Sequence, residues 1–283
     1  MELTIYSLLL FFFIYGFLGW ISEVVFAAFK SGRFVNRGFL LGPICPIYGM
    51  GVAAVLLACS PMMDKPWLVY IVSGILTSLI ELIIGIVSRA ILHERLWDYS
   101  NMPLNIGGYI CLTFSLVWGA ACIMIVYGLH PLVAGLVRLL PHVLGVVLIC
   151  VCSALFLTDL FITLFHALKI ERRMTAIDDA AKALEALSVK IGGGAAEQAL
   201  RVREKAQELE KAQEPERERR RTELEQKRRE LTERYERLVG RRNIVHEHLF
   251  SAFTNLSKGR YSSAYGRIRS ARESMKEKRK KQD

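Results

Sequence analysis

Two glutamates, Glu23 and Glu81, each sit late in a long apolar segment, and both segments lead into the same short turn, Gly-x-Ile-Cys, at Gly42 to Cys45 and again at Gly108 to Cys111. An ionisable side chain inside a bilayer costs about 2.5 to 3.5 kcal/mol on insertion scales, so a chain that keeps two is expected to use them. At 1.5 Å of rise per helical residue, Glu23 lies about 9 Å and Glu81 about 13 Å from the inner ends of their segments, too deep for ordinary loop charges. The chemistry open to such a pair is binding of a proton, a cation or a cationic substrate. With Arg37 as an anion clamp, general acid–base work on a lipid head group is a second option. A carboxylate that merely staples helices together is the structural alternative.

The loops next to these segments supply the other candidates. After the first segment comes Asn36-Arg37-Gly38-Phe39, then Gly42, Pro43 and Pro46; after the second comes Trp97-Asp98-Tyr99-Ser100, then Asn105, Gly107 and Gly108. The prolines and glycines end one helix and begin the next at a turn whose first amides have no intrahelical partner, an arrangement that attracts anions and polar head groups. The expected pocket is therefore Glu23, Asn36, Arg37, Glu81, Trp97, Asp98, Tyr99 and Asn105, with Arg37, Asn36 and Asn105 as compensating hydrogen bonders. Plain helix caps, with Trp97 and Tyr99 as interfacial anchors, are the competing reading. Asp159 is a third acid in an apolar segment. It lies seven residues before His166 on one helical face, and reads as an interfacial pair with it.

Five elements must position these residues. Apolar runs long enough to cross about 30 Å of hydrocarbon, which takes about 20 helical residues, fall at 5–29, 44–62, 67–90, 107–128 and 142–166, the second being the shortest. Basic residues Lys30, Arg33, Arg37, Arg89, Arg95, Lys169, Arg172 and Arg173 flank one side, against Lys65 and Arg138 on the other. That bias puts the N-terminus outside and the C-terminus in the cytoplasm, as expected of an inner-membrane protein. If the first four segments pack as two parallel two-span units, the glutamates face each other across the pseudo-symmetry axis. Glu2 and the length of the first segment argue against a cleaved signal peptide.

Composition divides the chain. Residues 1–166 carry seven basic and seven acidic residues, so the whole net charge of +10 lies in 167–283, with 30 basic against 20 acidic. The reading is an all-α polytopic membrane bundle (1–168), a connecting helix and Gly linker (169–194), and a basic helical tail (195–283). The six cysteines lie in or beside the spans without disulfide or zinc spacing, and read as small packing residues; no cofactor is implied.

In the tail, Gly192-Gly193-Gly194 and Pro215 are expected to break the helix. Leu224, Leu231, Leu238 and Val245 form one heptad line, whose companion line, Arg228, Tyr235, Arg242 and Leu249, is half charged. A solvated helix is thus favoured over a coiled coil, and a homo-oligomer is only one of the options. Leu249, Phe253 and Leu256, a turn at Lys258-Gly259, then Tyr261, Ala264, Tyr265 and Ile268 read as a helical hairpin. The basic stretch 267–281 suits anionic lipid on the inner leaflet better than nucleic acid, because its charges alternate with acids and its aromatics form no stacking platform.

Gly19-Trp20 with Glu23, then Asn36-Arg37-Gly38-Phe39, Gly42-Pro43, Pro46-Ile47-Tyr48-Gly49, Glu81, Trp97-Asp98-Tyr99-Ser100, Asn105, Gly108, Cys111, Ser115 and Trp118-Gly119, resemble the ABC-transporter type IV, or CmpB-like permease, family. The resemblance covers roughly residues 5–128 and implies a multi-pass membrane protein. The chain has no Gly-x-x-x-x-Gly-Lys-Ser/Thr loop, so ATP coupling would need a separate ATPase subunit. Transport is the favoured role. A membrane anchor for the tail comes second and a lipid head-group enzyme third, the last lacking any nucleophile, zinc or nucleotide motif.

Overall fold

The computed structural model describes residues 3–202, 210–240, 243–253, 259 and 261–280. They form two units, 1–169 with 244–260, and 170–243 with 261–283.

The first unit opens with α1 (Ile5–Ser31), which begins at a capping box between Thr4 and Ser7 and stops at Gly32 in the left-handed conformation. Next come α2 (Pro46–Cys59), a 3-10 turn at Ser60–Met62, and α3 (Pro66–Leu92). A two-residue hairpin, β1 (Asn105–Ile106) with β2 (Ile110–Cys111), pairs Asn105 with Cys111 and Ile106 with Ile110. It is followed by α4 (Leu112–Ile123), a π turn (Met124–Leu129), α5 (His130–Leu139) and α6 (His142–Ala167).

Four helical stretches are long and apolar enough to cross a membrane: Ile5–Lys30, Pro66–Leu92, Leu112–Leu139 and His142–Lys190. Pro46–Met62 is apolar but shorter. The span expected at 107–128 is shifted at both ends. It starts later because Gly107 and Gly108, at φ 58° and 74°, turn the hairpin that holds residues 105–111. It runs on to Leu139 because the π turn widens the helix just before Pro131, whose missing N–H and bulky ring an ordinary turn would not accommodate.

Helix α3 buries a small and polar stripe and exposes an apolar face. On α3, Ser73, Gly74, Ser78, Glu81, Gly85 and Ser88 are buried, while Ile71, Ile75, Leu79, Ile83 and Ile86 are exposed. Small residues let membrane helices approach closely where no hydrophobic force draws them together. A Cβ on Gly74 would come 3.2 Å from the Ser115 carbonyl, and Ser78 Oγ donates to Ser115 Oγ at 2.7 Å, so α3 and α4 meet along this stripe. In the same way Gly19 of α1 lies under the Tyr48 ring, and Gly49 of α2 lies against the Phe12 carbonyl. Phe11, Val55, Leu56, Cys59 and Val69 complete the core nearer the other end.

The second unit contains α7 (Ile170–Val202) and α8 (Glu210–Gly240). Helix α7 continues through Gly192–Gly194, where the sequence predicts a break; glycine costs only about 1 kcal/mol per residue against alanine, and Ala195 and Ala196 follow the triplet. Helix α8 likewise contains Pro215 among Glu, Arg and Lys residues that favour helix. Leu224, Leu231 and Leu238 lie half-buried along α8, but Val245 falls on the next helix, so the heptad line does not continue. That next helix, α9 (Ile244–Ala252), belongs to the first unit and packs against α6. The last, α10 (Ser262–Lys280), joins α7 and α8, with Ser263 Oγ donating to Asp178 at 2.7 Å and Arg267 pairing with it at 3.5 Å. The two halves of the expected hairpin thus belong to different units, and Leu256 and Lys258 lie outside the described residues.

Candidate functional site

Glu23 faces inward from the last third of α1. Its Oε1 accepts from the Tyr48 hydroxyl at 2.6 Å, and its Oε2 pairs with Arg37 at 3.6 Å. The Arg37 guanidinium, which also lies 5.4 Å over the Phe26 ring, does fold back from the loop onto the carboxylate. Asn36 does something else. Its Oδ1 accepts from the Trp20 indole at 2.7 Å and from the Gly38 amide at 3.2 Å, while its Nδ2 donates to the Leu41 carbonyl at 2.9 Å. It shapes the loop that carries Arg37.

Glu81 is 7% exposed on the polar stripe of α3. Tyr99, in the loop before the hairpin, donates to its Oε1 at 3.0 Å and stacks on Phe114 with ring centroids 4.7 Å apart. The Trp118 indole on α4 lies against the same carboxylate. Oε2 is buried with no hydrogen-bond partner among the described residues. Burial pushes the Tyr99 hydroxyl well above its ordinary value, helped by the Glu81 carboxyl group that accepts its hydrogen bond and more weakly by Cys111 and Glu23, so it stays a donor.

The two carboxylates are linked through aromatic rings. Tyr48, bonded to Glu23, sits edge-on to Trp118 at 6.1 Å between centroids, and Trp118 reaches Glu81. The cluster is therefore Glu23, Tyr48, Trp118, Glu81 and Tyr99, with Arg37 at one end. Both Gly-x-Ile-Cys turns end on a cysteine in extended conformation that caps the following helix, Cys45 for α2 and Cys111 for α4. The match between halves stops there, since the tyrosine on Glu23 comes from the following helix and the one on Glu81 from the loop.

The remaining loop residues hold the second turn. The Trp97 indole donates to the Tyr109 carbonyl at 2.9 Å, and Asp98 accepts from the Ser100 amide and from Arg95, both at 3.0 Å. Those bonds hold Asp98 below its ordinary value, the Ser100 bonds most of all. Asn105 bridges the Ser100 and Met102 carbonyls to the Gly108 amide. A side chain on Gly108 would meet Arg95, Ser100 and Asp98 at once.

For the first turn, an anion attracted by free amides comes from within the chain. The Asp159 carboxylate on α6 accepts from the Leu41 amide at 3.2 Å, the Gly42 amide at 2.7 Å and the Thr163 hydroxyl at 3.1 Å. Helix α9 holds the same loop from another side, where His248 Nε2 donates to the Gly38 carbonyl at 2.9 Å. Burial pushes His248 below its ordinary value against the raising pull of the Gly38, Leu40 and Phe39 carbonyls and Asp159. His246 Nε2 caps the end of α6 on the His166 carbonyl at 2.8 Å. None of these three contacts shows in the sequence.

Among the described residues no three His, Cys, Asp or Glu side chains gather to hold a metal, and all six cysteines are free thiols. Four helical stretches long and apolar enough to cross a membrane, with two carboxylates set among them, define a helical membrane protein. A family model described as Putative ABC-transporter type IV matches residues 10–164, from α1 into the last turn of α6, and the chain belongs to that family. No curated protein and no solved structure matches it.

Proposed function

We propose that the protein is a transport-type permease working through an acidic site formed by Glu23, Arg37, Tyr48, Glu81, Tyr99 and Trp118, which opens toward the cytoplasm. The observation that carries this reading is Glu81, a carboxylate buried among apolar helices with one oxygen unpartnered. A carboxylate kept only as a staple would be expected to use both oxygens. The family assignment supports a transporter-like role, and ATP, if used, would enter through a separate ATPase subunit. The test is metabolite and lipid profiling of a deletion strain complemented by wild type, Glu23→Gln or Glu81→Gln. Glu81→Gln is expected to leave the deletion profile, and Glu23→Gln to restore it in part. Full restoration by both would reduce residues 1–166 to a membrane anchor.

The loop carrying Arg37 and the loop carrying Tyr99 are assigned to the cytoplasmic side by the excess of Lys and Arg flanking them. The basic end of the chain then faces anionic lipid, at about 1 kcal/mol per basic residue near the surface. A reporter fused after Asp283 should be active only in its cytoplasmic form; activity of a reporter that works only outside the cell reverses the orientation.

A further inference from the structure

We propose that the two membrane carboxylates divide their work, with Glu81 held as a neutral acid that takes up and releases a proton, and Glu23 held in a salt bridge with Arg37. The inference rests on the transport reading and names a proton as the ion bound at that site.

The division follows from what each carboxylate touches. Glu23 has a cation at 3.6 Å, a hydroxyl at 2.6 Å and a side chain 27% exposed, so it is both partnered and partly solvated. Glu81 meets a phenol and an indole instead. The two arginines nearest it in sequence are engaged elsewhere: Arg89 donates to Tyr109 at 3.0 Å, and Arg95 bonds Asp98 and Ser100. An isolated carboxylate taken out of water costs far more than a neutral acid, and a buried acid without a cation keeps its proton. A proton also suits the donor set, because the described residues offer no third metal-ligating side chain.

The titratable and charged groups around Glu81 are few. The connecting loop presents Tyr99, Cys111 and Tyr109, with the Arg95–Asp98 pair beyond them; α2 presents Tyr48 and α4 the non-titrating Trp118. On α1 the nearest charge is Glu23, paired with Arg37 and reached through Tyr48 and Trp118. Arg89 lies two turns further along α3. Release of the proton leaves an anion that Tyr99 stabilises by its hydrogen bond, with the Trp118 indole alongside, and no other bond need break.

The test is infrared spectroscopy of the purified full-length protein in lipid nanodiscs near neutral pH, in light and heavy water. Wild type is expected to show the carbonyl stretch of a protonated carboxylic acid. Glu81→Gln should abolish it, and Glu23→Gln should leave it. A wild-type spectrum without the band, or a band that survives Glu81→Gln, overturns the proposal. Should Glu81→Gln fail to fold, Glu23→Gln in protein labelled with carbon-13 at glutamate carboxyls decides: a shifted band supports Glu81, and an unshifted or missing one refutes it. The result is independent of flux. A protonated Glu81 in a protein whose Gln variants restore the metabolite profile would sink the transport reading and leave the proton site standing.

Discussion

Alanine at position 49 is expected to destabilise the membrane unit by about 1 to 3 kcal/mol, whereas alanine at position 51, two residues along the same helix, should be neutral or slightly stabilising. A Cβ on Gly49 runs into the Phe12 carbonyl of α1, a backbone atom that cannot turn aside, so α1 and α2 must separate. A Cβ on Gly51 has no neighbour within 4 Å, and there alanine gains helix propensity without a clash. Thermal unfolding of the two variants in one detergent is the measurement. Separation would also move Tyr48, which sits over Gly19 on the same interface and holds Glu23. Gly49→Ala should therefore weaken function together with stability. Equal midpoints for the two variants would mean that α1 and α2 do not pack as described.

How much of this was legible depended on whether a residue's type gave it away. Glu23 and Glu81 stand out because a carboxylate in an apolar run has few structural uses, and Arg37 and Tyr99 were found because they lie in the loops beside them. Tyr48 and Trp118 carry as much of the geometry, but an aromatic residue in an apolar helix looks alike whether it faces lipid or a partner. Asn36 and Asn105 were expected at the carboxylates and instead fold their own loops, a distinction between local and distant bonding that composition does not carry. The span expected to end at 128 runs on, because a π turn carries the helix past Pro131. Gly192–Gly194 reads as a linker by glycine propensity alone, but helix-forming residues such as Ala195 and Ala196 follow it in the same helix. The return of α9 to the membrane unit had no periodic signal, since His246 and His248 bond carbonyls 80 and 210 positions away.

Alanine at Asp159 is expected to release the loop that carries Arg37. The Leu41 and Gly42 amides lie in a turn with no strand or helix to receive them, and both donate to this carboxylate. Hydrogen bonds to a charged group contribute about 1.5 to 3 kcal/mol each, so the local loss should reach about 3 to 6 kcal/mol, reduced by any water that reaches the freed amides. Asn at the same position keeps one acceptor oxygen and should fall between the two. Hydrogen exchange at residues 38–42 is the readout, faster in Asp159→Ala than in wild type and unchanged in Glu81→Gln. The consequence reaches Glu23, because Arg37 is presented by the same loop that His248 and Asp159 hold from two sides. A freed Arg37 would leave Glu23 without its cation, and the salt bridge that now ties this loop to α1 would be lost. Loss of function in Asp159→Ala that an arginine-bearing loop cannot explain would show as unchanged exchange at 38–42, and Asp159 would then act elsewhere than through this turn.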